Sequence, residues 1–317
     1  MVLTQYSPVH GTSVSEALLK MRVPVDLVET LAVILDEGSL DAAARRLHIT
    51  PSAVSQRVRA LERIAGQVLL VRSKPARATE AAHRFVRYAR QLALLERDAF
   101  DDIDEGVMTV PLAVNADSLA TWFLPPLARV ASARDVVFDL HRDDQDFTAG
   151  LLESGTVMGA VTSRRVPVAG CRVSALGVLR YEAVATPAFA KRWFTAEAEG
   201  GPDRDGLASA PVVDFDRRDE LQSRWLRSAG VDADAPPRHR VPASQDFATA
   251  VLLGLGWALL PTLQSHTHVE RGELLRLGGD DIVVPLYWQQ WNLASPLLDT
   301  VADEVVAEAR RVLEPAA

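Results

Sequence analysis

Apolar residues near the start of the chain follow helical spacing. Between Leu27 and Leu35 they recur every three or four positions, and Gly38 ends the series, so the pattern predicts an amphipathic helix. Ser39 can cap a second, short helix. Thr50 is a good N-cap for a third helix. Pro51 then occupies the first helical position, where a missing N–H costs nothing.

The third predicted helix has two unlike faces. Val54, Val58 and Leu61 form an apolar side, which predicts packing against the first two helices. The opposite side carries Ser52, Ser55, Gln56, Arg59 and Arg63. Hydroxyl, amide and guanidinium groups of this kind reach base edges and phosphate oxygens in a DNA major groove. The pattern predicts a helix-turn-helix that binds double-stranded DNA; the alternative is a plain helical hairpin.

Charge is distributed unevenly along the chain. The net charge is −8, yet residues 42–97 contain twelve Lys and Arg against three acidic residues. The rest of the chain must therefore be strongly acidic. A basic block on an acidic body indicates one part that meets phosphates and another with a different partner, although a basic run can also be a solvated helix face.

Two stretches of the basic block, Gly38–Leu47 and Ser52–Val58, resemble the DNA-binding signature of LysR-type transcriptional regulators. The chain length agrees with that family over roughly residues 21–317. The segment Ala65–Arg72 departs from most of the family and is similar to the LysG/ArgP branch, which controls export of basic amino acids. Two later segments share that similarity, namely Val114–Trp122 and Pro285–Trp288.

The resemblance and the outward face of the third helix together predict the DNA contacts. The predicted residues are Arg45, Arg46, Thr50, Ser52, Ser55, Gln56, Arg57, Arg59, Arg63 and Arg72. The resemblance implies a winged helix-turn-helix domain over residues 21–79. Residues 1–20 contain no continuous apolar run, so we expect a flexible tail there; the alternative is an over-extended start with Met21 as the true first residue.

A heptad pattern follows the wing. Apolar residues recur at alternating steps of four and three, namely Ala81, Phe85, Tyr88, Leu92, Leu95 and Ala99. This spacing predicts a long helix that pairs with another helix; the alternative is packing onto its own domain. The resemblance implies a homodimer or homotetramer joined by this helix, so Phe85, Tyr88, Leu92 and Leu95 are the predicted dimerisation residues. The linker spans residues 80–106, and Gly106 is a predicted hinge.

Strands and helices alternate after Met108, which predicts an α/β domain. The predicted strands are Val110–Val114, Val136–Leu140, Val157–Thr162, Tyr181–Ala185, Val212–Phe215, Trp257–Leu260 and Val284–Trp288. The predicted helices are Leu119–Ala131, Gln145–Ser154, Pro187–Trp193, Arg218–Ala229, Gln245–Leu253 and Pro296–Leu313.

The resemblance implies an effector-binding body like a periplasmic binding protein, with two subdomains around a cleft. This body spans residues 107–317. Subdomain I covers about 107–184 and 283–317, and subdomain II covers about 185–282. The predicted fold class is therefore mixed: an all-α winged helix-turn-helix domain and linker helix, then an α/β body.

Candidate effector-binding residues follow predicted strands or begin predicted helices. Asn115 to Ser118 follow a strand, where free N–H groups and a hydroxyl suit a small carboxylate. If the effector is L-lysine or L-arginine, its side-chain cation needs a carboxylate. The candidates are Asp117, Ser118, Asp144, Thr162, Asp214, Ser244, Gln245 and Asp246. Each has an alternative interpretation as a helix cap or a solvated surface residue.

Several function classes are weakened by what the sequence lacks. The single cysteine, Cys171, excludes a disulfide framework, and His266 and His268 have no third metal ligand nearby. No nucleophile–base pair or nucleotide-binding motif occurs, so no enzyme activity, cofactor or metal is predicted. We expect a cytoplasmic protein without a membrane segment. The predicted function is a regulator that activates a lysine or arginine exporter gene; the alternatives are a DNA-binding protein acting at replication origins and a regulator with a different effector.

Overall fold

The computed structural model describes residues 23–99, 107–142, 148–194 and 203–315. The predicted tail, the hinge Gly106 and the effector candidate Asp144 lie outside these residues. The chain divides into two compact units, Met1–Glu96 and Arg97–Ala317. No helix within the described ranges is long and apolar enough to cross a lipid bilayer.

The first unit is helical, with a short wing of two strands. Its elements are α1 (Val25–Glu37), α2 (Leu40–Arg46), α3 (Pro51–Ala65), β1 (Leu70–Val71), β2 (Arg77–Ala78), a 3-10 turn (Glu80–Ala82) and the start of α4 (His83–Ala99). The two wing strands pair antiparallel. The helix-turn-helix part of the predicted fold class is therefore confirmed.

Short polar residues and a glycine set the helix boundaries. The Oγ of Ser39 accepts a hydrogen bond from the N–H of Ala42 at 3.2 Å, and the Oγ1 of Thr50 accepts one from Ala53 at 3.2 Å. Each bond satisfies a backbone donor that the helix itself leaves unpaired. Gly38 ends α1 with a φ of 72°, a left-handed conformation that glycine adopts without steric cost.

The apolar side of α3 is buried as predicted. Val54 and Leu61 are fully buried and share one core with Val28 and Leu31 of α1. Burying a side chain of this size contributes about 1.5–3 kcal/mol relative to leaving it in water. The face of α3 that carries its polar groups is thereby turned outward.

The second unit is an α/β domain, which confirms the other part of the fold class. Its strands are β3 (Met108–Val114), β4 (Val136–Arg142), β5 (Gly159–Thr162), β6 (Cys171–Ala185), β7 (Val212–Asp214), β8 (Arg238–Arg240), β9 (Ala258–Pro261), β10 (Leu275–Arg276) and β11 (Ile282–Trp291). Its helices are α5 (Ala116–Thr121), α6 (Leu124–Ala133), α7 (Thr148–Glu153), α8 (Pro187–Trp193), α9 (Arg204–Ser209), α10 (Leu221–Ser228), α11 (Ser244–Leu252), α12 (Thr262–Glu270) and α13 (Pro296–Val312).

One sheet runs through this unit in the order β10-β6-β11-β5-β3-β4, and β9 also pairs with β6. Strands β3 and β4 are parallel, and Val114 is the register partner of Arg142. Both strands therefore end at one edge of the sheet, where α5 begins. The parallel pair β7–β8 forms a separate small sheet. Strand β6 ends at Ala185 and β11 begins at Ile282.

The predicted helix Leu119–Ala131 is wrong, because the chain forms α5 and α6 there instead. Trp122 and Phe123 separate the two helices and are buried. Pro125 and Pro126 follow after Leu124, and a proline cannot donate the backbone bond that a continuing helix needs. Prolines therefore lie in the first turn of α6, where that bond is not required.

Strand β6 begins ten residues before the predicted strand Tyr181–Ala185. The prediction missed this extension because Gly177 interrupts the apolar pattern. Gly177 has a φ of 132°, and a Cβ there would lie 2.5 Å from the carbonyl oxygen of Glu314. Close backbone approach thus requires glycine inside this strand. Four further short elements had no clear pattern, namely α9, β8, α12 and β10.

Candidate DNA-binding face and effector cleft

The outward side of α3 is open to solvent in the first unit. Ser52, Gln56, Arg59 and Arg63 are exposed, and Ser55 is half-buried. A groove runs beside them to the start of the wing. Three further predicted contacts are also exposed, namely Arg45 and Arg46 on α2 and Arg72 in the wing. These side chains are free to meet a duplex.

Two of the predicted DNA contacts also have local structural roles. Thr50 caps α3, and its Oγ1 lies 3.0 Å from the Oγ of Ser52. Arg57 points back to α1: its Nη1 donates to the Oγ1 of Thr30 at 3.2 Å, and its Nε lies 3.3 Å from a carboxylate oxygen of Asp26. Arg57 therefore fixes the angle between α1 and α3, a role that its sequence position did not reveal.

The wing is tied to the end of α3. Glu62 on α3 accepts a hydrogen bond from the backbone N–H of Leu69 at 3.0 Å. The hydroxyl of Thr79 donates to the carbonyl oxygen of Val68 at 2.8 Å. The wing thus has a fixed orientation relative to α3.

Helix α4 divides its apolar residues between two faces. Val86 and Ala89 are buried in the core of the first unit. Tyr88 and Leu95 remain 43% and 40% exposed, while Phe85 and Leu92 are half-buried. Ala81 and Phe85 of the predicted seam pack against the core of the first unit. Tyr88 and Leu95 remain available, as a pairing surface requires.

A cleft in the second unit encloses a cavity of about 290 Å³. Asn115 and Asp117, beside the end of β3, form part of its wall, and Arg142 at the end of β4 forms another. Phe215 and Asp219 line it from the opposite side. The size suits a small ligand rather than a macromolecule.

Asp117 is the predicted acidic residue that lines this cleft. One carboxylate oxygen accepts from the hydroxyl of Tyr181 and the other from the hydroxyl of Ser244, both at 2.7 Å. Gln264 donates in turn to the Oγ of Ser244 at 3.1 Å. Burial raises the pKa of Asp117, although both hydroxyl hydrogen bonds oppose the shift. A cation beside this buried carboxylate would stabilise its ionised form.

Several buried polar groups around the cleft have no hydrogen-bond partner among the described residues. They are the amide oxygens of Asn115, Gln222 and Gln264 and the hydroxyl of Ser118. Buried polar groups are almost always paired in folded proteins. Of these residues, Asn115 and Gln222 line the cavity, and their amide oxygens are acceptors suited to a ligand rich in N–H donors.

The other predicted effector residues lie in different surroundings. Asp214 does not line the cavity. Both of its carboxylate oxygens accept from Nη1 of Arg238, at 2.7 and 2.8 Å. Thr162 is buried and accepts from the N–H of Arg164. Gln245 donates to the carbonyl oxygen of Ala120 at 3.1 Å, and Asp246 is exposed. Asp117 and Ser244 are thus the predicted residues that the structure joins directly.

Several residues around the cavity were missed by the sequence analysis, and Tyr181, Arg142 and Asp219 are among them. Tyr181 lies inside a strand and gave no local signal, whereas Arg142 ends a strand and could have been found. Burial raises the pKa of Asp219 to about 6, although its carboxylate accepts two backbone hydrogen bonds, from Phe215 and Leu221. Asp219 therefore titrates near neutral pH.

Within the described residues, no group of three or more His, Cys, Asp or Glu side chains could hold a metal ion. The Nε2 of His266 lies 3.2 Å from a carboxylate oxygen of Glu270, and the Nδ1 of His268 lies 2.6 Å from one of Glu273.

The family model described as "Bacterial regulatory helix-turn-helix protein, lysR family" matches residues 25–83. The lysine export transcriptional regulatory protein LysG of Corynebacterium efficiens is 43% identical over 290 residues, covering 90% of this chain and 98% of that protein. The transcriptional regulator ArgP of Aeromonas salmonicida is 36% identical over 295 residues, covering 91% and 97%.

Solved structures show the same likeness over nearly the whole chain. The crystal structure of ArgP from Mycobacterium tuberculosis has a TM-score of 0.83 at 40% identity, and covers 93% of this chain and 100% of that one. Full-length LysG from Corynebacterium glutamicum, with bound effector Arg, has a TM-score of 0.75 at 38% identity, covering 92% and 100%.

Proposed function

The chain belongs to the LysG/ArgP branch of the LysR-type DNA-binding transcriptional regulators, and from this premise we propose that it senses a basic amino acid and activates an exporter gene. The single observation that carries the effector assignment is the buried carboxylate of Asp117 at the cleft. The unpaired amide oxygens of Asn115 and Gln222, which line the same cavity, support a donor-rich cation.

A mechanism follows from the hydrogen bonds that cross the cleft. Asp117 belongs to α5, beside the end of β3, whereas Ser244 begins α11 on the other side. An effector cation bound to Asp117 would compete with the hydrogen bond from Ser244 to the Asp117 carboxylate. Binding can then favour one cleft geometry over another, and through paired chains it changes how the two α3 helices meet DNA.

Calorimetric titration of the full chain tests the effector assignment. L-arginine or L-lysine should bind, whereas neutral amino acids should not. Footprinting in the presence of the ligand tests the target, and protection should concentrate at the promoter of a transporter gene. If no basic amino acid gave a binding signal, the sensing role would be excluded, while the proposed DNA binding would be unaffected.

Single substitutions should separate base contacts from phosphate contacts. Gln56→Ala should cost about 1–3 kcal/mol on the operator and relax sequence preference, as expected for a base-reading amide. Arg45→Ala should instead weaken all sequences alike and lower the salt slope by about one unit. Binding of operator and random DNA at several salt concentrations measures both. An unchanged preference in the Gln56 variant would contradict its placement at the bases.

Affinity for L-arginine should decrease as pH falls below 6. The pKa of Asp219 is about 6, and a bound cation favours the ionised carboxylate, so binding at lower pH must first release a proton. The expected loss is up to tenfold per pH unit, and the charges of arginine itself stay constant in this range. Calorimetry at pH 5.5 and 7.5 measures it. Asp219→Asn should flatten this dependence; equal affinities in the unaltered protein would exclude a role for Asp219.

Other assignments complete the proposal. The residues that we assign to effector binding are Asp117, Ser118 and Ser244, and those assigned to pairing of two chains are Tyr88 and Leu95. A regulator of chromosomal genes works in the cytoplasm, and we assign it no catalytic step. The relatives are named as transcriptional regulators, which favours promoter control over action at replication origins.

A further inference from the structure

We propose that Arg142 binds the α-carboxylate of the effector and so restricts the site to free amino acids. This inference rests on the proposed effector class and adds the recognition of its anionic end. A basic amino acid carries two cationic groups and one carboxylate, so a site made only of acceptors would leave the carboxylate without a partner.

Arg142 lies at the right edge of the sheet for this role. It is the register partner of Val114, and Asp117 follows three residues after Val114. Arg142 and Asp117 therefore border the same cavity from adjacent strand ends. The two side chains offer opposite charges to the two ends of one small ligand.

The guanidinium of Arg142 is held without being neutralised. Its Cζ lies 5.9 Å from the centre of the Phe215 ring, a contact that orients a planar cation but leaves its N–H donors available. Among the described residues, no carboxylate pairs with Arg142. By contrast, Arg218 on the same cavity wall contacts Asp216 at 3.5 Å. Arg224 also borders the cavity and is exposed, but no ring contact orients it.

The start of α5 is the competing place for a carboxylate. Asp117 already puts a negative charge in the first turn of that six-residue helix, which disfavours a second anion there. The cation at Arg142 is thus the better partner. Phe215 follows β7 on the opposite side of the cavity. A carboxylate bound to Arg142 would therefore also affect the contact between Arg142 and the Phe215 ring, which joins the two walls.

The test compares L-arginine with agmatine, which lacks only the carboxylate, by calorimetry on the full chain. The unaltered protein should prefer arginine by about 10- to 100-fold. Arg142→Gln should remove most of this preference by weakening arginine binding while agmatine affinity stays within about threefold. Arg224→Gln is the matched control, since it removes the same charge from the cavity rim, and it should keep the preference.

Each result decides the assignment. An Arg142→Gln protein that still prefers arginine as strongly, or a loss of preference in Arg224→Gln instead, would overturn it while the proposed effector stands. Failure of the unaltered protein to bind arginine or lysine would remove the proposed effector and this assignment together. Agmatine affinity that stays within about threefold in Arg142→Gln shows that the cavity kept its fold when the exposed Arg142 was replaced.

Discussion

Replacing Asp117 with asparagine should lower the affinity for L-arginine and L-lysine by at least about 100-fold. Asparagine keeps the shape and one acceptor for Tyr181 and Ser244, but it removes the charge that a cationic ligand needs. Taking one partner from a buried ion pair costs about 3–5 kcal/mol, which corresponds to such a loss. Calorimetry of the variant with both amino acids measures it.

The matched control is Asp205→Asn. Asp205 is also an aspartate in the first turn of a six-residue helix, α9, but it is exposed and does not border the cavity. Its replacement should leave effector affinity unchanged. Operator binding without ligand should survive in both variants, because the first unit is unaltered. Undiminished arginine binding by the Asp117 variant would show that another carboxylate holds the cation.

Adding charges to the exposed seam of α4 should separate the paired chains. In the double variant Tyr88→Asp and Leu95→Asp, both changes fall on side chains that the single chain leaves exposed, so the fold itself should survive. A lone chain reaches only one half-site, and the loss of linked binding weakens operator affinity by about 100-fold or more. Light scattering and operator titration measure the two effects.

Ala93→Asp is the control for that experiment. Ala93 lies on α4 between the two seam positions and is exposed, but it does not belong to the heptad pattern. The variant should remain paired and bind the operator normally. If the double variant stayed paired, the seam of α4 would not join the chains. If Ala93→Asp alone separated them, the interface would use another face of the helix.

Local signals were sufficient for the first three helices of the DNA-binding domain, whereas the wing came from the resemblance. The caps Ser39 and Thr50 and the glycine at position 38 act within four residues of themselves, so a short window of sequence contains their whole physical effect. Arg57 is the exception, because its hydrogen-bond partner Thr30 lies 27 residues earlier. Nothing near Arg57 in the sequence indicates that partner.

The cleft depends on distant contacts and was predicted less completely. Asp117 meets Tyr181 across 64 residues and Ser244 across 127. Alternation of strands and helices predicts that such residues lie at strand ends, but it does not predict which of them meet. Asp214 illustrates the difference: it ends a strand as expected, yet Arg238 from the neighbouring strand already neutralises it.

The two hydroxyl groups that donate to Asp117 have a consequence for ligand selectivity. The hydroxyls of Tyr181 and Ser244 already donate to the Asp117 carboxylate. A ligand that replaces one of them gains affinity only if its own hydrogen bond to the carboxylate is stronger. An uncharged donor would merely exchange one neutral hydrogen bond for another, with little net gain. An ammonium or guanidinium group forms a charge-assisted bond roughly twice as strong. The resting protein therefore already disfavours any ligand that can offer Asp117 only an uncharged donor.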